Sequence, residues 1–506
     1  MPADSLIPQA VEQLSPVLLG PRVWLVGGSV RDRLLRRPSF DFDFVVDGDA
    51  IAFGRRLANE VGADYFELDP ERGTGRMLLS GGDGRRTLYD FARLRQASIE
   101  GDLRGRDLTV NAMGVSLEAP TQLIDPTGGL EDLHHRVIRA CSPDAIRDDP
   151  VRALRCVRIA DELSARITSD TIQQARSAAS LLPQVSPERL RDEFFRILGL
   201  LPGPSAALRQ LDSLGLLTAV VPELEPLRGL AQPAAHAYDA LTHTLAVAAG
   251  LEKLLWILDP QGTDRGKDLA AGWVLQGLGR FREPLRRYLD HSLTFGRTRR
   301  QGLYFAALLH DVGKSTTFTH DSDGSIRFLG HETVGATMAV GIARRLALSL
   351  AEMAELERFV ADHMRPGWME KEGGPSPRAV YRFFRLTQAA GVGIALLSLA
   401  DLFGKHAPPV PEEAWSTRVE TVRSLLLAWF EARRDRVDPE PLLNGEAVMR
   451  LVGIPSGPNV GALLEDLREA QVEGGVRTVE EAEAFLRARY EQIVARSDAG
   501  GGGREG

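Results

Sequence analysis

The sequence predicts an α/β unit over residues 1–142 followed by a long, mostly α-helical remainder, and three observations carry that reading. Residues 22–46 read as strand, turn, helix and strand; further strand patterns follow to about residue 91; from about Pro143 strand signals largely vanish and helical spacing takes over. At 506 residues the chain is too long for one hydrophobic core, so several domains are expected.

In order along the chain, RVWLVGG at 22–28 is an apolar run ending in paired glycines, SVRDRLLRR has a helical pattern, and DFDFVV at 41–46 alternates before continuing apolar. Strand-like segments at Arg76–Leu79 and Thr87–Phe91 are separated by the turn-rich GGDGRR. Long helical patterns run through DDPVRALRCVRIADEL and SPERLRDEFFRILGLL. A helical block over 231–407 ends at the Pro-rich HAPPVPEEAW, a last helical piece reaches 495, and the glycine-rich tail 496–506 is expected to be disordered.

Composition narrows the class without naming it. Hydrophobic residues make up 43% and charged residues 26%, an ordinary globular balance. Two cysteines, Cys141 and Cys156, exclude a disulfide framework and fit a reducing compartment. The start lacks the basic flank and apolar core of a signal peptide, and no apolar run approaches a bilayer's thickness, so a cytoplasmic protein without membrane contact is expected. The net charge of −8 does not mark a nucleic-acid binder, so any such surface must be a local basic patch.

Gly27-Gly28-Ser29 lies between an apolar strand and a helix, where glycines let the backbone approach a phosphate and a helix N-terminus offers free N–H groups. Asp41 and Asp43, two apart on a strand, project from one face, and hard oxygen ligands so arranged suit Mg²⁺. Two such ions activate an attacking hydroxyl and stabilise a leaving oxygen. Asp90, in TLYDF, is a candidate third carboxylate.

Gly27-Gly28-Ser29-Val30-Arg31-Asp32 followed by Asp41-Phe42-Asp43 resembles the head of the class II tRNA nucleotidyltransferase and bacterial poly(A) polymerase family. Arg106-Asp107-Leu108-Thr109-Val110-Asn111-Ala112 is similar to the family's ribose- and triphosphate-contacting motif, with Gly105 replacing its first arginine. Asp125-Pro126-Thr127-Gly128-Gly129-Leu130 resembles the hinge-like motif after it. Asp148-Asp149-Pro150-Val151-Arg152 resembles the base-selecting motif, with Asp148 in place of glutamate, and Ser186-Pro187-Glu188-Arg189 with Glu193 looks like the helical motif that closes the head.

The resemblance implies a polymerase-beta-like nucleotidyltransferase head over 1–142 and a helical neck over 143–230 carrying the base reader. It implies catalysis by Asp41, Asp43 and Asp90, with Mg²⁺ held by Asp41 and Asp43. Nucleotide contacts would come from Gly27, Gly28, Arg31, Arg106, Asp107 and Asn111, and from Asp149, Arg152, Arg155 and Arg158. Asp149 and Arg152, three apart, would share one helix face. A carboxylate accepting from an exocyclic amine beside a guanidinium donor fits cytosine and adenine and leaves polar groups unpaired against uracil and guanine. Arg155 and Arg158 would contact triphosphate or brace the site.

The implied partners are tRNA, CTP and ATP. Only residues 94–100 lie between Phe91-Ala92-Arg93 and Gly101-Asp102-Leu103, where CCA-adding members have a much longer loop. The short version goes with enzymes that add CC and leave the final A to a separate A-adding enzyme, so CC addition is expected, with full CCA addition as the open alternative.

Within 231–407, His310-Asp311 follows the apolar run LYFAALL, with His243 upstream and Asp401 downstream. This set resembles the HD phosphohydrolase superfamily and implies a metal site for Mn²⁺, Ni²⁺, Fe²⁺ or Zn²⁺, with His331 and His363 completing a second position. The implied chemistry is hydrolysis of a phosphate monoester or cyclic phosphodiester. Residues 408–495 resemble the helical RNA-binding body of such members, and basic clusters at Arg280–Arg287 and Arg297–Arg300 are candidate phosphate contacts. Two alternatives share these motifs: a poly(A) polymerase acting on general RNA 3′ ends, and an HD hydrolase whose head only binds RNA.

Overall fold

The computed structural model describes residues 5–12, 14, 21–81, 86–234, 236–262, 269–294, 296–406 and 410–501. Most of the GGDGRR turn therefore lies outside the described residues. The chain forms two compact units, one of residues 1–201 and 206–222, the other of residues 202–205 and 223–506. The divisions expected at 143, 231 and 408 are finer than this split.

The first unit is built on seven strands: β1 (Val23–Val26), β2 (Asp41–Val46), β3 (Asp64–Asp69), β4 (Thr74–Ser80), β5 (Arg86–Arg93), β6 (Gly114–Ser116) and β7 (Leu123–Ile124). Their order is β3-β4-β5-β2-β1-β6-β7. Only β2 and β5 run parallel; the other neighbours are antiparallel. The alternation in β2 decides the layering. Phe42 and Phe44 are fully buried and stack on Tyr89 and Phe91 of β5, while Asp41 and Asp43 point to the opposite face. Helix Ala50–Val61, capped by Asp49 and ended by the left-handed Gly62, covers the aromatic face. The opposite face is left for the site.

The sequence pattern predicts no strand at 64–69, where the structure has β3. DYFELD carries charges at both ends and in the middle, and as an edge strand it buries little, so its alternation is weak. The helical pattern at 148–163 is realised only from Arg152, as helix Arg152–Leu163, because Pro150 disfavours helix at the residue before it. Helix Pro187–Leu198 starts with proline at its first position.

The second unit is almost wholly helical. Helix Ala390–Lys405, buried along most of its length, runs against helices Ala240–Ile257, Leu350–Asp362 and Glu412–Phe430. The last of these follows the Pro-rich stretch, whose residues 407–409 lie outside the described residues, so the boundary expected at 408 does not coincide with a break in packing. Helices Gly445–Val452, Pro458–Val472 and Val479–Gly501 close on a small core of their own, centred on Val448, Leu463, Leu467 and Leu486. The third continues to Gly501, correcting the expectation of a disordered tail from 496; residues 502–506 lie outside the described residues.

One further expectation is corrected. Helix Ala240–Ile257 has the length and apolar composition of a membrane span. It is 61% buried inside the unit and carries the buried His243, which identifies it as a core helix.

Candidate functional site

In the first unit the parallel pairing sets Asp43 beside Asp90, and the antiparallel pairing of β1 and β2 sets Val26 beside Asp43. Asp41, Asp43 and Asp90 thus share the open face of the sheet. Gly27 follows Val26 directly and starts helix Gly28–Leu34 with φ at +82°. A Cβ there would lie 3.0 Å from Asp43 Oδ2 and 3.2 Å from Arg106 Nη1, so both space and backbone conformation demand glycine. Arg31 is buried and donates from Nη1 to Asn111 Oδ1 at 2.6 Å, while pairing with Asp32 at 2.9 Å.

These residues line one cavity of about 630 Å³, which holds Gly27, Gly28, Arg31, Asp41, Asp43, Asp90, Arg106, Asp107, Asn111, Arg152, Arg155 and Arg158. The sequence had placed all of them in the site. Burial pushes the Asp43 carboxyl up to about 6; Arg106 opposes the shift, and Asp41 and Asp90 add to it. Asp41 is raised by burial and by Asp90. Carboxylates crowded until they resist ionisation fit a bound divalent cation, which would relieve the repulsion. Asp90 differs from the other two. Arg76, opposite it on β4, donates to both its oxygens at 2.7 Å.

The neck departs from expectation at one point. Asp149 and Arg152 do not share a helix face, because Asp149 is extended (φ −146°, ψ 92°) before Pro150 and Arg152 is the first residue of its helix. They still meet, with Arg152 Nε 3.7 Å from Asp149 Oδ2. Arg189 Nη2 donates to the same oxygen at 2.7 Å. The motif Ser186-Pro187-Glu188-Arg189 does not announce this contact, because Arg189 lies 40 residues from Asp149 along the chain. Arg152 Nε is buried without a hydrogen-bond partner.

Of the two roles left open for Arg155 and Arg158, the structure favours bracing. Arg155 Nη1 bonds Asp107 Oδ2 at 2.7 Å, and Arg158 bonds Glu193 at 2.5 Å and Glu162 at 2.7 Å. Burial alone would raise Glu193, but Arg158 and Arg155 hold its carboxyl below the usual range. Asp107 is likewise held low against burial, by Arg155. The network ties the loop at 107 to helices Arg152–Leu163 and Pro187–Leu198.

The second unit holds the histidine and aspartate set. His243 lies on helix Ala240–Ile257 and Asp401 on Ala390–Lys405; His310 and His363 end helices Arg299–Leu309 and Leu350–Asp362, and His331 begins His331–Arg345. They form two groups, His243/His310/Asp401 and Asp311/His331/His363, with the ligand atoms of each within 4.8 Å of one another. Asp311 joins the groups. Its Oδ2 lies 3.1 Å from His243 Nε2 and 3.2 Å from His310 Nε2, and its Oδ1 lies 3.4 Å from His331 Nε2.

The Nδ1 atoms of His310, His331 and His363 each sit 2.8 Å from the carbonyl oxygen three residues earlier. A proton on each Nδ1 would satisfy that carbonyl and leave Nε2 as a lone pair facing the cluster, the arrangement metal-binding histidines use. Burial lowers His243, but hydrogen bonds to Asp311 and Asp401 outweigh it and bring it to about 9. Burial and His310 push His363 down to about 3. A cation held by Asp311 and Asp401 would take the place of the His243 proton and leave that imidazole neutral as a ligand.

Gly313 lets the loop after Asp311 approach: a Cβ there would lie 2.2 Å from the His331 carbonyl oxygen. Lys314 Nζ bonds Asp311 Oδ2 at 2.6 Å and Gln232 at 2.7 Å, a contact the sequence reading missed. The Arg297–Arg300 cluster is corrected as a phosphate surface. Arg297 and Arg299 are spent on the inward-facing Glu352 and Glu355, at 2.6 and 2.7 Å. His291 and His320 stand exposed, apart from either metal group.

Three known families match the chain in sequence order: the Poly A polymerase head domain over residues 23–139, the probable RNA and SrmB-binding site of polymerase A over 166–227, and the HD domain over 240–390. The chain is 34% identical to the A-adding tRNA nucleotidyltransferase of Deinococcus radiodurans, over 93% of this chain and 96% of that protein. It is 33% identical to the CC-adding tRNA nucleotidyltransferase of Geobacter sulfurreducens, over 92% and 91%. Among solved structures, a CCA-adding enzyme with ATP shares the fold at a TM-score of 0.59 and 20% identity, covering 97% of this chain and 96% of that one. With 33–34% identity to such relatives over nearly the full length and a head that presents paired aspartates beside a glycine turn, the chain belongs to the tRNA nucleotidyltransferase family, as a member carrying an HD domain.

Proposed function

We propose that the enzyme adds CC to the 3′ end of tRNA from CTP, and that the observation carrying this is the pairing of the Asp41/Asp43 site with a very short connection after β5. Only residues 94–98 separate β5 from helix Ile99–Arg104. Ser98 caps that helix at once, and Asp102 accepts from the Arg95 N–H at 3.2 Å, so the connection is closed on itself. The relatives include both A-adding and CC-adding enzymes, and the short connection favours the latter.

Asp41 and Asp43 would hold Mg²⁺, which when bound supplies charge neutralisation for attack of the RNA hydroxyl on the α-phosphorus. The chain's own groups do the positioning. The Gly27-Gly28 turn, Arg31 and Arg106 cradle the triphosphate. Asp149 and Arg152 read the base edge, with Arg189 holding Asp149 in place. Arg155 and Arg158 fix Asp107 and the neck helices. In the second unit His243, His310, Asp311, His331, His363 and Asp401 would hold one or two transition-metal ions, supporting hydrolysis of a 3′-terminal phosphate.

A nucleotide-competition assay on tRNA separates this from a poly(A) polymerase. CTP incorporation that stops after a fixed number of residues is expected; preference for ATP with open-ended extension would contradict it.

A further inference from the structure

The edge of the sheet carries an apolar shelf that the site described above does not use. Pairing across the strands sets Phe66 of β3 beside Arg76, Arg76 beside Asp90, and Asp90 beside Asp43. All four share the open face. Phe66 and Leu68, the latter at the register shift between Glu67 and Asp69, are 53% and 51% exposed, unusual for large apolar groups. Tyr65, by contrast, faces the covered side and bonds Ile51 O. Leu68 lines the same cavity as Asp41 and Asp43, together with Arg76, Arg93 and Arg95.

We infer that Phe66 and Leu68 stack the unpaired 3′ segment of the acceptor RNA, with Arg76, held by Asp90, reaching its phosphate. The inference rests on the reading of Asp41 and Asp43 as the transfer site. In-line displacement places the attacking hydroxyl and the leaving diphosphate on opposite sides of the phosphorus. The Gly27 turn, at the β1 side of Asp43, takes the triphosphate, so the RNA approaches over β5, β4 and β3. Phe66 is three strands from Asp43, about 14 Å at ~4.8 Å per strand. That distance suits a nucleotide upstream of the reacting end and is too great for the reacting one. Aromatic faces stack bases of any sequence beside cationic side chains, the arrangement single-stranded nucleic-acid sites use.

This assignment also explains Asp90. With both oxygens held by Arg76, it anchors a guanidinium and is not free as a third metal carboxylate.

The test uses the full-length enzyme, CTP and tRNA that already carries the first C after the discriminator base, so that an unpaired nucleotide lies upstream of the reacting one. Phe66→Ala is expected to raise KM for the tRNA about tenfold while KM for CTP keeps its wild-type value, and Phe66→Trp to restore the tRNA KM. Leu350→Ala, at an exposed leucine of the other unit, serves as the control. An unchanged tRNA KM for Phe66→Ala, or a rise in the CTP KM instead, would overturn the inference. A second readout needs no catalysis: 2-aminopurine in the last nucleotides of the tRNA should be quenched on binding wild type and Phe66→Trp, and not Phe66→Ala. Absence of transfer by the wild type would refute the underlying reading; equal quenching by Phe66→Ala would refute the shelf.

Discussion

At the scale of single residues, Asp43 shows the cost of a metal-ready site. Its carboxyl, raised from the usual value to about 6, binds a proton in the folded head at pH values where the unfolded chain does not. Stability of the metal-free head therefore falls as pH rises from about 4 to about 6, by on the order of 3 kcal/mol. Asp43→Asn should raise the melting temperature of the metal-free protein at pH 7 and abolish transfer by at least a thousandfold, as melting curves and CTP incorporation would show. Apparent Mg²⁺ affinity should weaken as pH drops through 6, because proton and cation compete for one carboxylate. A pH-independent Mg²⁺ titration would contradict this. The residues themselves were legible in the sequence, since a period-two strand forces Asp41 and Asp43 onto one face. The partners were not: Arg76 reaches Asp90 through the pairing register of two adjacent strands, and Arg189 reaches Asp149 from a helix 40 residues along the chain.

Among elements, the braces decide what holds. Arg297 and Glu352 form an inward ion pair that also caps helix Leu350–Asp362 through Ser349. Burial opposes ionisation of Glu352, yet bonds from Arg297 and Ser349 bring its carboxyl down to about 2. Because the folded value lies below the unfolded one, the stabilisation is present above about pH 4.5 and is lost as pH falls toward 2. Glu352→Gln should cost about 3 kcal/mol at pH 7 and much less at pH 3, read as a difference in melting temperature that shrinks with acid. A constant difference would show that the pair is not the source. Helix spacing made the helices readable, but a run of arginines looks the same whether it faces water or glutamates. Arg297 and Arg299 were therefore misplaced on the surface. The edge strand β3 and the helical end at 496–501 were missed for the converse reason, having little apolar pattern to display.

On the scale of the whole molecule, two candidate sites sit in two compact units. Asp311→Ala should remove transition metal from the purified protein, measured by elemental analysis, and with it hydrolysis of a 2′,3′-cyclic phosphate, while nucleotide transfer continues at the Asp41/Asp43 site. Loss of both activities on that one change would argue that the two units work as one. The order of the motifs gave the architecture because each motif serves one local geometry. On the proposed function, nucleotide choice was harder to read, since it would depend on the length of one connection and on a pair of residues split by Pro150.

The most direct test supplies purified enzyme, Mg²⁺ and tRNA ending at the discriminator base, first with CTP and then with ATP added. Growth by two residues with CTP, and no third with ATP, is the result expected of a CC-adding enzyme. A third residue on addition of ATP, or extension only of a tRNA already ending in CC, would contradict it.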